Sequence, residues 1–150
     1  MRIRGATRLK MDCGSSLIEF SLVAFMSVIV LLGVVEMGRM VLVYTTVANA
    51  ARAGARYAIV HGGDRTGSGV NGPSGPGSTT QVQTVVQNFA SAGLLNTSNL
   101  KITVSYPNGV NAAGSPVSVT VTYPYDPLVG YFNSMLSTTM GSTSEGVITF

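Results

Sequence analysis

One carboxylate in this sequence stands where charge is expensive. Glu19, within "GSSLIEFSLV" (14–23), opens the only long apolar run of the chain. Insertion scales put an acid at the centre of a bilayer at a cost on the order of 3 kcal/mol, so an acid in such a run usually has a task. The other residues that could do chemistry lead to less. His61 is the single histidine, and Asp64 is near it, but no G-x-S-x-G nucleophile accompanies them. A histidine at a helix C-terminus has a plain role, a favourable interaction with the helix dipole. Gly67, Gly69 and Gly72 spell G-x-G-x-x-G. A dinucleotide loop needs a strand before it and a helix after it, whereas a helical pattern precedes this one and "PSGPG" follows. No His/Cys/acid cluster has metal-ligand spacing, so neither a cofactor nor an enzymatic activity is expected.

Cys13 is the only cysteine, which excludes an intramolecular disulfide. It precedes the apolar run, where a lipoprotein cysteine would follow it. Asn96 in "NTS" fits a glycosylation acceptor, a pattern that arises often by chance. "ANA" (48–50) has the form of a signal-peptidase site with Ala51 as the new N-terminus. Against that reading, the apolar core ends well before Ala50 and carries Glu36 and Arg39.

Composition sets the frame for these residues. Of 150 residues only 10% are charged and 45% are hydrophobic, and the mean hydropathy is +0.36. Such a chain is apolar for a soluble protein, and the values point to a membrane-associated one. The net charge of +3 resides wholly in the first 12 residues, where Arg2, Arg4, Arg8 and Lys10 oppose Asp12. From Gly14 onward five basic residues meet five acidic ones. A nucleic-acid binder needs a basic face on its folded body, so that class is excluded.

The elements follow from periodicity. Residues 1–14 are a short basic leader, and 17–43 are almost wholly apolar, enough to span a bilayer as a helix. Glu36 and Arg39 lie three apart, neighbours on a helix, and are expected to pair near the membrane interface. Positive residues precede the span, so the N-terminus is expected in the cytoplasm and the rest outside. "YTTVANAARAGARYAIV" (44–60) extends the helix beyond the membrane. At ~1.5 Å per residue the whole helix, 15–60, measures roughly 70 Å. Ala48, Ala51 and Ala55 form a small-residue stripe suited to close packing of a partner. Arg52 and Arg56 share a polar edge.

A Gly/Ser/Pro stretch, 61–80, reads as a flexible loop. A short amphipathic helix follows from about Gln81 to Ala92, with Thr80 as N-cap, Gly93 as its close, and Val82, Val85, Val86 and Phe89 on its apolar face. "LKITVSY" and "PVSVTVTY" alternate with period two and mark antiparallel strands, linked through the turn dipeptide Asn108-Gly109. "YPYDPLVGYFNSML" is expected to turn at Pro124 and Pro127 and to form a short helix, and "STSEGVITF" to supply a third strand. The fold class is α+β: a transmembrane part (15–43), a projecting helix (44–60), the loop (61–80) and a small extracytoplasmic domain (81–150).

The leader, Gly14, four residues, Glu19 and Phe20 together resemble a type IV prepilin signal. With "EMGR" (Glu36–Arg39) and "AARAGARYA" (Ala50–Ala58) in order behind it, the segment 14–58 resembles TadE-like proteins, minor pseudopilins of tight-adherence (Flp-type) pilus systems. The resemblance implies cleavage between Gly14 and Ser15 on the cytoplasmic side by a prepilin peptidase. It implies an assembly role for Glu19, with Phe20 beside it, in which the carboxylate offsets the N-terminal ammonium of a neighbouring subunit. It implies a family motif at Arg52 and Arg56, other pilins and the tight-adherence machinery as partners, and the bacterial inner membrane as the location. An unprocessed membrane-anchored binding module is the alternative, and a secreted domain freed at Ala50 is a more distant one.

Overall fold

The computed structural model describes residues 12–128, 130 and 137–149. Most of the basic leader, and most of the segment expected to form a helix after Pro127, lie outside these residues. The first element is a single helix, α1 (Asp12–Val60). The described chain divides after Met37 into two compact units. The first is the apolar half of α1, whose side chains are almost all exposed. An apolar helix of this length with an exposed surface suits lipid as its solvent. Its serines bond inward: Ser21 Oγ donates to the Ile18 carbonyl at 2.8 Å and Ser27 Oγ to the Val23 carbonyl at 2.8 Å. Neither hydroxyl then enters an apolar layer without a partner.

The second unit begins at Gly38 and has its own core. It holds the rest of α1, then α2 (Thr80–Ala92), then three strands: β1 (Lys101–Ser105), β2 (Pro116–Tyr125) and β3 (Thr138–Val147). The sheet is antiparallel throughout, with β2 in the centre. Register puts Ile102, Val121 and Ser142 side by side, and next to them Val104, Val119 and Ser144. That face is buried beneath the helices. The opposite face carries hydroxyls, among them Thr103, Thr120 and Thr143 in one row, and Thr120 and Thr143 share a hydrogen bond of 2.8 Å. Alternation with period two is what separates the faces.

The helical layer is built on small residues. Val47, Ala50, Ala51, Gly54, Ala55 and Ala58 follow one another at helical spacing and are buried. Of the stripe expected from Ala48, Ala51 and Ala55, the last two are buried and Ala48 is only half-buried, while Val47, Ala50, Gly54 and Ala58 widen it. Its close partners include the chain's own α2 and sheet. At Gly54 an added Cβ would stand 2.5 Å from Val86 Cγ2 and 3.2 Å from Val119 Cγ1. At Gly93 it would overlap the Thr46 side chain, and at Gly146 the Ile59 side chain. Glycine at these three places admits neighbouring elements closer than any side chain would.

The element expectations hold with local differences. α2 starts at Thr80, so Thr79 takes the position before the helix, and it makes no side-chain cap bond. Gly93 closes α2 as expected. Val82, Val86 and Ala90 face inward, while Phe89 is 42% exposed. Pro124 does not turn the chain. It lies within β2, opposite Thr139. β1 begins at Lys101, opposite Thr122, so among the described residues no strand pairs with Pro124 on that side of β2, where proline's missing donor is tolerated.

Gly54→Ala tests the close approach. Replacing an exposed helical glycine by alanine gains up to about 1 kcal/mol, whereas overpacking a filled core costs about 1–3 kcal/mol. A net loss of about 1–2 kcal/mol is expected, read as a lower denaturation midpoint in urea.

Candidate functional site

The residues singled out at the N-terminus lie on the first turns of α1. The helix begins at Asp12, so the Gly14–Ser15 bond falls in its first turn, where amide groups have no intrahelical acceptor and the helix frays most readily. Gly14 is exposed, and a Cβ there would meet nothing within 4 Å. The fold itself does not ask for glycine at this position. Glu19 is exposed and Phe20 is 75% exposed. Further along, Glu36 is buried at 3% exposure, although Val35 and Met37 beside it are open.

In the second unit, Arg52 and Arg56 are both exposed, as their shared edge predicts, and Arg52 Nη1 donates to Asn49 Oδ1 at 3.3 Å. Ala50 and Ala51 are fully buried in mid-helix. Cleavage between them would remove Val47 and Ala50 from the core, which weighs against a signal-peptidase site. The G-x-G-x-x-G glycines serve a loop. Gly67 and Gly69 have positive φ, at 143° and 62°, and a 3-10 turn at Gly69–Asn71 stands where a nucleotide-binding helix would begin. Asn96 is engaged by its own turn, its Oδ1 accepting from the Ser98 amide at 3.0 Å.

The Gly/Ser/Pro stretch departs from the flexible loop expected of it. It seals the end of α1. The last four carbonyls of a helix need outside partners, and here each has one. The Tyr57 carbonyl bonds His61 Nδ1 at 2.9 Å, and the Ala58 carbonyl accepts the His61 amide at 3.4 Å. The Ile59 carbonyl accepts the Thr149 amide at 3.0 Å, and the Val60 carbonyl accepts Arg65 Nη1 at 3.4 Å. The His61 ring also stacks on Tyr57, with centroids 3.9 Å apart. His61 is thus a helix-terminating residue with its ring nitrogen committed to the backbone.

Buried Ser74 then ties the loop to the sheet end. It donates its amide (2.6 Å) and its Oγ (2.9 Å) to the His61 carbonyl, and Oγ accepts from the Tyr106 hydroxyl at 3.2 Å. Asn111 Nδ2 donates to the Ser74 carbonyl at 2.9 Å. Among the described residues no buried side-chain nitrogen or oxygen lacks a hydrogen-bond partner. Composition did not reveal this network, because its partners lie 32 to 37 residues apart in sequence.

A second feature that sequence reasoning missed is a cleft of about 350 Å³ within the second unit. Arg39, Leu42, Leu94, Tyr123, Tyr125 and Asp126 are among its lining residues. The Arg39 guanidinium lies 5.4 Å from the centroid of the Tyr125 ring, within cation–π range. At the rim Leu94 has φ +61° and is 95% exposed. It holds the left-handed position that ends α2, with the Leu95 amide bonded back to the Ala90 carbonyl at 3.1 Å. A side chain in that conformation costs roughly 1–2 kcal/mol, which a glycine would avoid.

An apolar helix long enough to cross a membrane, continuous with the core helix of a small α+β domain, defines the class: a domain on a single N-terminal helix that supports membrane anchoring. Residues 14–56 match the family described as TadE-like protein. The matched segment runs from the glycine at the leader's end to Arg56, almost the whole stretch whose motifs carry the resemblance. No curated protein and no solved structure matches the chain.

Two measurements test the sealing network. Ser74→Ala leaves the Tyr106 hydroxyl without its acceptor, and a loss of about 1–3 kcal/mol in unfolding free energy is expected. Burial pushes the Tyr106 phenol above its usual value, with the Ser74 hydrogen bond pulling the other way. A raised phenol favours the neutral form in the folded state. The stability it contributes is complete below about pH 10 and is lost as pH rises past that value, because the unfolded chain ionises first. Unfolding midpoints measured above pH 10 should fall less steeply in Tyr106→Phe than in the parent.

Proposed function

We propose that this chain is a minor pseudopilin-type subunit of a tight-adherence pilus system, without enzymatic activity, that acts in assembly or priming of the fibre. The observation that carries the reading is the TadE-like match, which begins at Gly14 and runs through the apolar helix to Arg56. In this reading a prepilin peptidase removes the basic leader after Gly14, and Ser15 becomes the first mature residue. An exposed glycine that the fold does not require fits a requirement imposed from outside, by an enzyme that must reach the backbone.

Glu19 then lies one turn inside the new N-terminus. When helices gather in an apolar bundle, each brings an ammonium out of water. An uncompensated buried charge costs several kcal/mol, and a carboxylate from a neighbouring helix offsets it. The same pairing selects axial register, since a subunit out of step leaves one charge alone. Glu36 and Arg39 form a pair near the membrane interface, and Arg52 and Arg56 present a cationic edge to the machinery or to neighbouring pilins. The mature chain sits in the bacterial inner membrane with its domain on the outer side.

Mass spectrometry of the N-terminus, on protein from its native membrane, decides the processing step. A chain starting at Ser15 is expected. An intact Met1 would indicate an unprocessed anchor, and a start at Ala51 a secreted domain. Gly14→Val should abolish the Ser15 start. Glu19→Ala should keep that start yet strongly reduce pilus number by electron microscopy; wild-type piliation in this variant would remove the assembly role.

A further inference from the structure

We propose that copies of this chain join edge to edge, β3 of one copy pairing in parallel with β1 of the next, so that the sheet continues from copy to copy. The inference goes beyond the pilus role, since it concerns contacts between copies whether or not a fibre forms. With β2 in the centre, β1 and β3 are the two edges of the sheet. Among the described residues no backbone hydrogen bond reaches the outer side of either edge. Such an edge is a template for another strand, and proteins guard it with proline, lysine, a bulge or a short strand. β3 has none of these guards. It pairs with β2 without a bulge over all 10 of its residues and holds neither proline nor lysine.

Charge identifies the partner edge. Lys101 is the one charged residue of β1, Glu145 is the one charged residue of β3, and β2 has none. Both are exposed on the hydroxyl face, Lys101 level with Thr122 and Gly141, Glu145 level with Ser118 and Ser105. Within one copy they are two strands apart and well offset along the strands, roughly 16 Å in all, too far to pair. Each edge therefore offers the counter-charge that the other lacks. Two β3 edges brought together would leave both carboxylates without one.

Strand direction agrees with this partner. β1 and β3 both run antiparallel to β2 and so run parallel to each other. A β3–β1 contact between copies repeats one orientation throughout, and every copy sends its apolar helix to the same side. The contact is head-to-tail and does not close on itself, the kind that builds open assemblies. The charges also set its register. With Lys101 of the next copy opposite Thr143, Thr103 falls opposite Glu145 and Ser105 opposite Val147. All 5 residues of β1 are then paired, and Lys101 stands diagonal to Glu145, within reach of a long side chain. Backbone bonds supply the hold, and the ion pair selects the register.

Disulfide cross-linking of the full chain in its native membrane tests the contact. In a Cys13→Ser background, Ser105→Cys and Val147→Cys are placed together in one chain, which keeps Lys101 and Glu145. Both positions are exposed, so the thermal melt should stay that of the parent. Oxidation with copper phenanthroline should give a ladder of dimers, trimers and longer chains, while either cysteine alone leaves monomer. Adding Lys101→Glu sets like charges side by side and should erase most of the ladder. Adding Glu145→Lys as well reverses the pair and should restore it. A double-cysteine chain that stays monomeric overturns the proposal, as does a ladder that Lys101→Glu leaves unchanged. Dimers formed instead by Thr143→Cys alone would mean antiparallel pairing of two β3 edges, and bonds only to another protein would mean a different occupant. Either result overturns it too.

Discussion

The domain depends on how closely α1 can be approached. Gly54 and the alanines around it present almost bare backbone to Val86 of α2 and Val119 of β2. In a unit this small the core is thin, and each methyl group sets the spacing between layers. Valines on α2 and the central strand fill the space that the small residues leave. Gly93 and Gly146 repeat the arrangement with Thr46 and Ile59 of α1, where the neighbour is again too near for a Cβ. Three glycines from different parts of the chain thereby fix the same helix against everything that packs on it.

A helix held so tightly must also end without exposing buried carbonyls. Its last turn is closed by groups from three places: the adjacent His61, Arg65 in the loop, and Thr149 near the far end of the chain. The Thr149 bond secures the segment after β3 to the helix, and Ser74 links the loop to Tyr106 just after β1. Satisfying the helix end and positioning the sheet are one event. This explains why a stretch with almost no apolar residues is buried in part. Its backbone and hydroxyls supply hydrogen bonds where other segments supply hydrocarbon.

One helix also serves two solvents. Toward its N-terminus α1 exposes Leu, Ile, Val and Phe and turns its serine hydroxyls back onto its own carbonyls, as lipid requires. Beyond Gly38 it buries a stripe of small residues and leaves Arg52 and Arg56 in water. The TadE-like match covers both regimes and ends at Arg56. The matched segment therefore contains the membrane-length helix and the packing stripe, while the loop, α2 and the sheet lie beyond it. A helix matched to the TadE-like family and carrying a small α+β domain is the arrangement that the proposed pilus role makes use of.

The sequence by itself determined whatever depends on local pattern. The apolar run, the period-two strands, the period-3.6 stripe and the closing Gly93 are repeats that neighbouring residues impose on one another. The spacing of Gly14, Glu19 and Phe20 to the start of the apolar run is a local property of the same kind. The tertiary structure decided what depends on residues far apart. It turned the small-residue stripe toward the chain's own core, left Phe89 outside, and kept Pro124 in a strand at a point that the pairing with β1 does not reach. It made a sealed cap of a loop whose composition read as flexible, because Ser74 finds Tyr106 and Asn111 only after the sheet has formed. The cleft at Arg39 and Leu94 has the same origin. Its walls come from α1, the end of α2 and the end of β2, and no local pattern records that those three places meet.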